Sequence, residues 1–176
     1  MKSLEKLIRT IPDYPKPGIM FRDVTTLLAD AKGLRKTIKS MAEPFEDKKI
    51  HAVAGIEARG FILGGAIADR LECGFIPIRK KGKLPFKTIG QDYTLEYGVD
   101  TIEIHADAIK HGERILIVDD LIATGGTAEA AVKLIARTGG DVAGATFIID
   151  LPELGGMKLL KSLDVSCHAL VAFEGH

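Results

Sequence analysis

The sequence predicts an α/β fold in which a mostly parallel central sheet is covered by helices on both faces. Three observations predict it. Short apolar runs of β type at residues 51–55, 74–78, 114–118 and 142–149 alternate with helix-patterned stretches at 60–71 and about 127–138. That order builds parallel sheets through crossover helices. The run Ile115-Leu116-Ile117-Val118 is apolar without interruption, as suits a strand buried on both faces. Finally, charged or glycine-bearing segments follow the strands, and open parallel sheets bind ligands outside their strands' carboxyl ends. The loops after residues 55, 78 and 118 are therefore where chemistry is expected.

The elements follow in order. Leu4, Leu7, Ile8 and Ile11 have helical spacing, which predicts a short helix over 3–11. Asp13 to Gly18 carries two prolines and a glycine and breaks it. Residues 19–23 read as a short extended piece, and Leu34, Ile38, Met41 and Phe45 as the apolar face of a second helix. After the strand at 51–55, the helix at 60–71 and the strand at 74–78, residues 79–92 are basic and lack apolar periodicity. They are expected to form a long loop, of the kind that is functional or mobile. Residues 93–97 and 101–105 alternate polar and apolar, which suits an antiparallel ribbon. A strand at 114–118, a helix at about 127–138, a strand at 142–149, a variable segment near Gly155-Gly156 and a last strand near 166–172 complete the chain.

Composition narrows the function classes. A length of 176 residues fits one domain, since domains run to roughly 100–200 residues. Basic and acidic residues balance at 24 each, Trp is absent, and no long basic run occurs. The electrostatic footprint and stacking platforms of a nucleic-acid binder are thus missing. Cys73 and Cys167 lie far apart and form neither a CxxC pair nor a disulfide framework. The N-terminus has no signal-peptide apolar core, and no run reaches the ~20 apolar residues that span a bilayer. A soluble cytoplasmic protein without membrane partners is expected.

The strongest signal is Val118 to Thr127. Asp119 and Asp120 follow the buried strand at once. Two adjacent carboxylates are costly in a dry core, but at a strand end they can accept charge-assisted bonds from vicinal sugar hydroxyls. Leu121-Ile122 and then Ala123-Thr124-Gly125-Gly126-Thr127 open a helix. Glycines let the backbone approach an anion, and the free amides and dipole of a helix start favour one. The loop is neither a Walker A loop nor a dinucleotide fingerprint.

The segment Val118-Asp119-Asp120-Leu121-Ile122-Ala123-Thr124-Gly125-Gly126-Thr127 resembles the phosphoribosyl-diphosphate motif of the type I phosphoribosyltransferases. Pro15-Lys16-Pro17-Gly18, Phe21-Arg22-Asp23, Glu57-Ala58-Arg59-Gly60, the 79–85 segment and Leu95-Glu96-Tyr97-Gly98 extend the resemblance, in order, to the adenine-specific members. The resemblance implies the type I fold over residues 1–176 as a single domain. A hood-like N-terminal segment would take up residues 1–30, and a flexible loop and ribbon would flank the site. The implied reaction moves a 5-phosphoribosyl group from phosphoribosyl diphosphate to adenine, giving AMP and pyrophosphate, with Mg2+ held mainly by substrate and water. A homodimer is also implied.

Roles carry over residue by residue. Asp119 and Asp120 would face the ribose hydroxyls, and Ala123, Thr124, Gly125, Gly126 and Thr127 the 5-phosphate. Glu57, Ala58 and Arg59 would form a pyrophosphate turn containing a non-proline cis peptide, with Arg79 and Lys83 adding charge. Met20, Phe21 and Arg22 would take the base. Members acting on 6-oxopurines usually carry Asp where this chain has Ala123, and a methyl group cannot transfer a proton. Proton handling therefore shifts to Glu96, with Arg59 as the other catalytic candidate and Tyr97 as a further neighbour of the substrate. The alternatives are a xanthine or 6-oxopurine transferase, a non-catalytic regulator that senses phosphoribosyl diphosphate, and a plain flavodoxin-like binding module. Ala123 and Phe21-Arg22-Asp23 speak against the first. The lack of spare length for a DNA-binding domain speaks against the second, and Arg59 and Glu96 against the third.

Overall fold

A computed structural model describes residues 3–95 and 98–175. Four strands β3 (Ala52–Ile56), β4 (Gly74–Lys80), β7 (Arg114–Val118) and β9 (Asp141–Asp150), with β10 (Cys167–Ala172), form a parallel block in the order β10-β9-β7-β3-β4. Beyond β4 the sheet continues with β6 (Val99–His105) and β5 (Thr88–Thr94), which run antiparallel. The two-residue β8 (Leu121–Ile122) pairs with the end of β9.

Strand periodicity explains how both faces fill. In β7, Leu116 and Val118 point to one face and Ile115 and Ile117 to the other, and all four are fully buried. The first face packs against helices α2 (Ala31–Ala42) and α3 (Arg59–Arg70) through Met41, Leu63 and Ile67. The second packs against α4 (Gly126–Arg137) and α5 (Gly156–Ser162) through Ala131, Leu134, Ile135 and Leu160. No described helix is long and apolar enough to cross a membrane.

The N-terminal expectation needs correction. Residues 3–11 are not one helix: a 3-10 turn spans Leu4–Leu7, and β1 (Arg9–Pro12) follows it. Four apolar residues are too short a stretch to hold an isolated helix. A partner strand is at hand, for β1 pairs antiparallel with β2 (Met20–Asp23), Ile11 opposite Phe21. The segment 79–92 is also less of a loop than expected. β4 reaches Lys80 and β5 begins at Thr88. The ribbon's pattern is weak because Gly90 and Gln91 break the apolar alternation, while Ile89 and Tyr93 still turn inward. Two short helices were missing from the sequence reading, α1 (Thr25–Ala29) and α5 in the segment read as variable.

Candidate functional site

The carboxyl ends of β3, β4 and β7 converge, and each supplies one part of the site. At the end of β7, Asp120 is only 6% exposed and its carboxylate is held by the Arg59 guanidinium. Its backbone carbonyl accepts from the amides of Ile148 and Ile149, both at 3.0 Å, which ties the turn to β9. Asp119 accepts from the Asp120 amide at 2.8 Å. Burial, and then the neighbouring Asp120 carboxylate, push Asp119 well above the usual carboxylate range. Gly60 permits this closeness: a Cβ there would lie 2.7 Å from the Val118 carbonyl oxygen.

The loop behind the acidic pair is shaped by small residues. Gly125 caps α4 in the left-handed region at φ 88°, and a Cβ on it would stand 2.9 Å from Gly156 Cα. The Gly156 amide donates to the Ala123 carbonyl at 2.9 Å, so α5 pins the loop from below. Ala123, Thr124, Gly125, Gly126 and Thr127 all line one hollow of about 160 Å³ together with Asp119. A hollow of amides, hydroxyls and a helix start accommodates a phosphate group.

At the end of β3 the Glu57–Ala58 peptide bond is cis, as the resemblance implied. The Glu57 carboxylate accepts from the Lys80 amide at 2.6 Å and from Arg79 at 3.1 and 3.2 Å, and Lys83 Nζ stands 3.6 Å away. Burial opposes its ionisation, but the Lys80 amide, the Arg79 hydrogen bonds and the Lys83 charge outweigh that and hold Glu57 below its usual range. A carboxylate repels an anion, so Glu57 serves this turn by collecting Arg79 and Lys83. Arg59 opens α3; burial works against its charge, while the Asp120 hydrogen bond and the charges of Asp120, Asp119 and Asp23 more than restore it.

A cavity of about 610 Å³ joins these parts to the hood. Met20, Phe21 and Arg22 of β2 form one wall, and Arg59, Asp119, Asp120 and Thr124 form another. Leu121, Leu151 and Leu154 close it with apolar surface. Sequence reading named Leu121 within the loop motif but missed Leu151 and Leu154. The signal was present, because Leu151 and Leu154 follow the carboxyl end of β9, where ligands of such sheets lie. The Arg22 guanidinium turns to the chain ends: it donates to Thr10 Oγ1 at 2.6 Å and the Glu174 carbonyl at 3.4 Å, and it stacks on Phe173 at 4.3 Å. Glu96 and Tyr97 lie outside the described residues. Among the described residues no group of three or more His, Cys, Asp or Glu side chains could hold a metal ion.

The model of the phosphoribosyl transferase domain family matches residues 23–168. Adenine phosphoribosyltransferase of Parvibaculum lavamentivorans is 62% identical over 173 residues, covering 98% of this chain and 99% of that protein. The crystal structure of adenine phosphoribosyltransferase from Rhodothermus marinus superposes with a TM-score of 0.91 at 52% identity, covering 97% of this chain and 96% of that one. The Saccharomyces cerevisiae adenine phosphoribosyltransferase, solved with an imino-altritol bisphosphate and adenine, gives 0.88 at 34% identity, with 96% of each chain covered.

Proposed function

We propose, because the chain belongs to the phosphoribosyl transferase family among the adenine phosphoribosyltransferases, that it transfers the 5-phosphoribosyl group of phosphoribosyl diphosphate to adenine, giving AMP and pyrophosphate for purine salvage. One observation carries the mechanism: a single cavity runs from Met20–Arg22 to Asp119, Asp120 and Thr124. A base held at the hood and a sugar phosphate held at the loop therefore meet in one space. The yeast relative, with adenine and a bisphosphate together, supports that pairing.

Backbone groups of Met20 and Arg22 complement adenine's amino donor and ring acceptor, while Phe21 and the three leucines enclose its faces. Asp119 and Asp120 accept from the ribose hydroxyls, and the Ala123–Thr127 loop holds the 5-phosphate. Arg59 meets the pyrophosphate, backed by Arg79 and Lys83. A bond forms between the base's ring nitrogen and C1 as the C1–oxygen bond breaks, its electron pair leaving with pyrophosphate through an oxocarbenium-like transition state. Ala123 cannot move the base's proton, so Glu96 is assigned that task. Mg2+, carried by substrate oxygens and water, would add positive charge against the leaving group. This chain assigns no side chain of its own to the ion, since Asp119 and Asp120 are taken by the ribose hydroxyls and Asp120 also holds Arg59. The chain acts as one domain and as a cytoplasmic homodimer; sedimentation at two-protomer mass checks the dimer.

The deciding experiment supplies phosphoribosyl diphosphate, Mg2+ and each purine base in turn. AMP from adenine alone is expected; product from hypoxanthine or xanthine but not adenine overturns the reading. Glu96→Gln should slow turnover by about 10²–10⁴-fold with phosphoribosyl diphosphate binding nearly intact, and full activity would remove Glu96 from the mechanism.

A further inference from the structure

We infer, on the reading of Met20–Arg22 as the adenine wall, that Phe173 is a positioning residue which fixes that wall by acting through the Arg22 guanidinium. Phe173 lies one residue beyond β10. The base wall belongs to the two-stranded sheet of β1 and β2, whereas the acidic pair, the phosphate loop and Leu151 follow strands of the large sheet. Phe173 bridges the two. Its amide donates to the Asp150 carbonyl at 3.1 Å, at the end of β9 and next to Leu151 on the far wall of the cavity. Its half-buried ring packs against the core cluster that holds Leu151. The Arg22 guanidinium stands over that ring, 4.3 Å from its centre. The same guanidinium donates to the Glu174 carbonyl at 3.4 Å and to Thr10 Oγ1 on β1 at 2.6 Å. One planar cation thus clasps both hood strands to a segment of chain some 152 positions away.

The aromatic face matters because of what Arg22 lacks. Its Nε is buried and finds no acceptor among the described residues. The ring supplies the attraction that an acceptor would otherwise give, and it fixes the plane of the guanidinium, since a flat cation stacks on a flat ring. The backbone of Arg22 faces the cavity while its side chain is held from behind, so the clasp sets where the wall's C=O and N–H groups stand. A base read by backbone groups needs them in place, and small misplacements at a reacting site are costly. The phosphate loop and the Glu57 turn are held to the large sheet by bonds of their own. Loosening the clasp therefore acts on the base and spares the sugar phosphate.

Phe173→Leu keeps an apolar side chain and removes the aromatic face. KM for adenine should rise by about 5- to 10-fold, the worth of a cation–π contact and part of a hydrogen bond, with KM for phosphoribosyl diphosphate changed by less than about twofold. Phe173→Tyr restores the ring and should return KM for adenine to the wild-type value. Hydrogen exchange of the unliganded protein reads the clasp without any substrate: amides at 9–12 and 20–23 should exchange faster in Phe173→Leu and at the wild-type rate in Phe173→Tyr. Thr10→Val, at an exposed position on the other side of the guanidinium, should shift KM for adenine and hood exchange in the same direction by less, and it decides the matter if Phe173→Leu does not fold. Unchanged hood exchange overturns the clasp. Faster hood exchange with a wild-type KM for adenine, or with both KM values raised equally, overturns its role in placing the base. A wild-type protein that makes no AMP overturns the adenine reading, and the positioning role with it, even where hood exchange responds.

Discussion

The turn after β3 and the turn after β7 do the same structural job with opposite materials. Each ends a buried strand and opens a helix of 12 residues. After β7 the approach to α4 is made of Ala, Thr and Gly, and the donors it offers an anion are amides and hydroxyls. After β3 the approach to α3 is made of charges, and each cation already holds a carboxylate: Arg79 and Lys83 hold Glu57, and Arg59 holds Asp120. Pairing spares these charges the cost of standing alone in a partly buried site. An anion arriving at the loop meets open donors, whereas one arriving at the β3 turn must exchange with a resident carboxylate. The first turn suits a phosphate that stays attached through the reaction, the second a pyrophosphate that must leave.

Breaking the β7 side should have the largest effect. Asp119→Asn combined with Asp120→Asn removes both carboxylates proposed to accept from the ribose hydroxyls and should weaken phosphoribosyl diphosphate by about 100-fold, from two charge-assisted hydrogen bonds. Titration calorimetry measures this, and unchanged affinity would refute the ribose role. Arg59→Gln comes next and separates the two turns. Phosphoribosyl diphosphate should bind roughly 10- to 50-fold more weakly, as loss of a charged hydrogen bond implies. Ribose 5-phosphate, which lacks the pyrophosphate, should bind no worse, because Asp120 is released. Equal losses for both ligands would place Arg59 on the sugar side.

Glu57→Gln should have a smaller effect, raising KM for phosphoribosyl diphosphate by about 5- to 10-fold as Arg79 and Lys83 lose their shared acceptor. Its stability effect has a definite pH window. The folded protein holds Glu57 below its ordinary pKa, so its contribution is present above the ordinary carboxylate range and is lost as pH falls through the folded value. The melting temperature of Glu57→Gln should lie below wild type at neutral pH, and the gap should close in acid. A gap independent of pH would mean that the loss is one of packing.

How much of this was legible depended on whether local chemistry or distant partners decided the outcome. Ile115 to Val118 had to be a buried strand, and Asp119-Asp120 with Gly125-Gly126 had to lie at its end, because burial, charge and backbone freedom act there within a few residues. Residues 9–12 and 20–23 form a strand pair only because each has the other, and helical spacing of four apolar residues could not reveal that. The pairing of Arg59 with Asp120 spans 61 positions. Sequence named both residues for the site and assigned them to different ligands, and nothing in either motif shows that they first hold each other. The leucine wall at 151 and 154 was missed because apolar residues after a strand look like core until the cavity beside them is seen.

The last and smallest effect compares the two turns through their carboxylates. Asp119 is displaced in the opposite sense from Glu57: burial, and then Asp120, push it above its ordinary pKa. A carboxyl group raised in this way favours folding below its unfolded pKa, and that advantage is lost as pH rises through the folded value, because the unfolded chain ionises more readily. At neutral pH the single substitution Asp119→Asn should therefore raise the melting temperature, and the gain should shrink in acid. Glu57→Gln should show the reverse sign at neutral pH, also shrinking in acid. Melting curves of both variants across pH test the pair together. A lowered melting temperature for Asp119→Asn at neutral pH would mean that Arg59 stabilises the ionised pair more than burial penalises it. The β7 turn would then be a second pre-paired charge site like the β3 turn, and no longer its opposite.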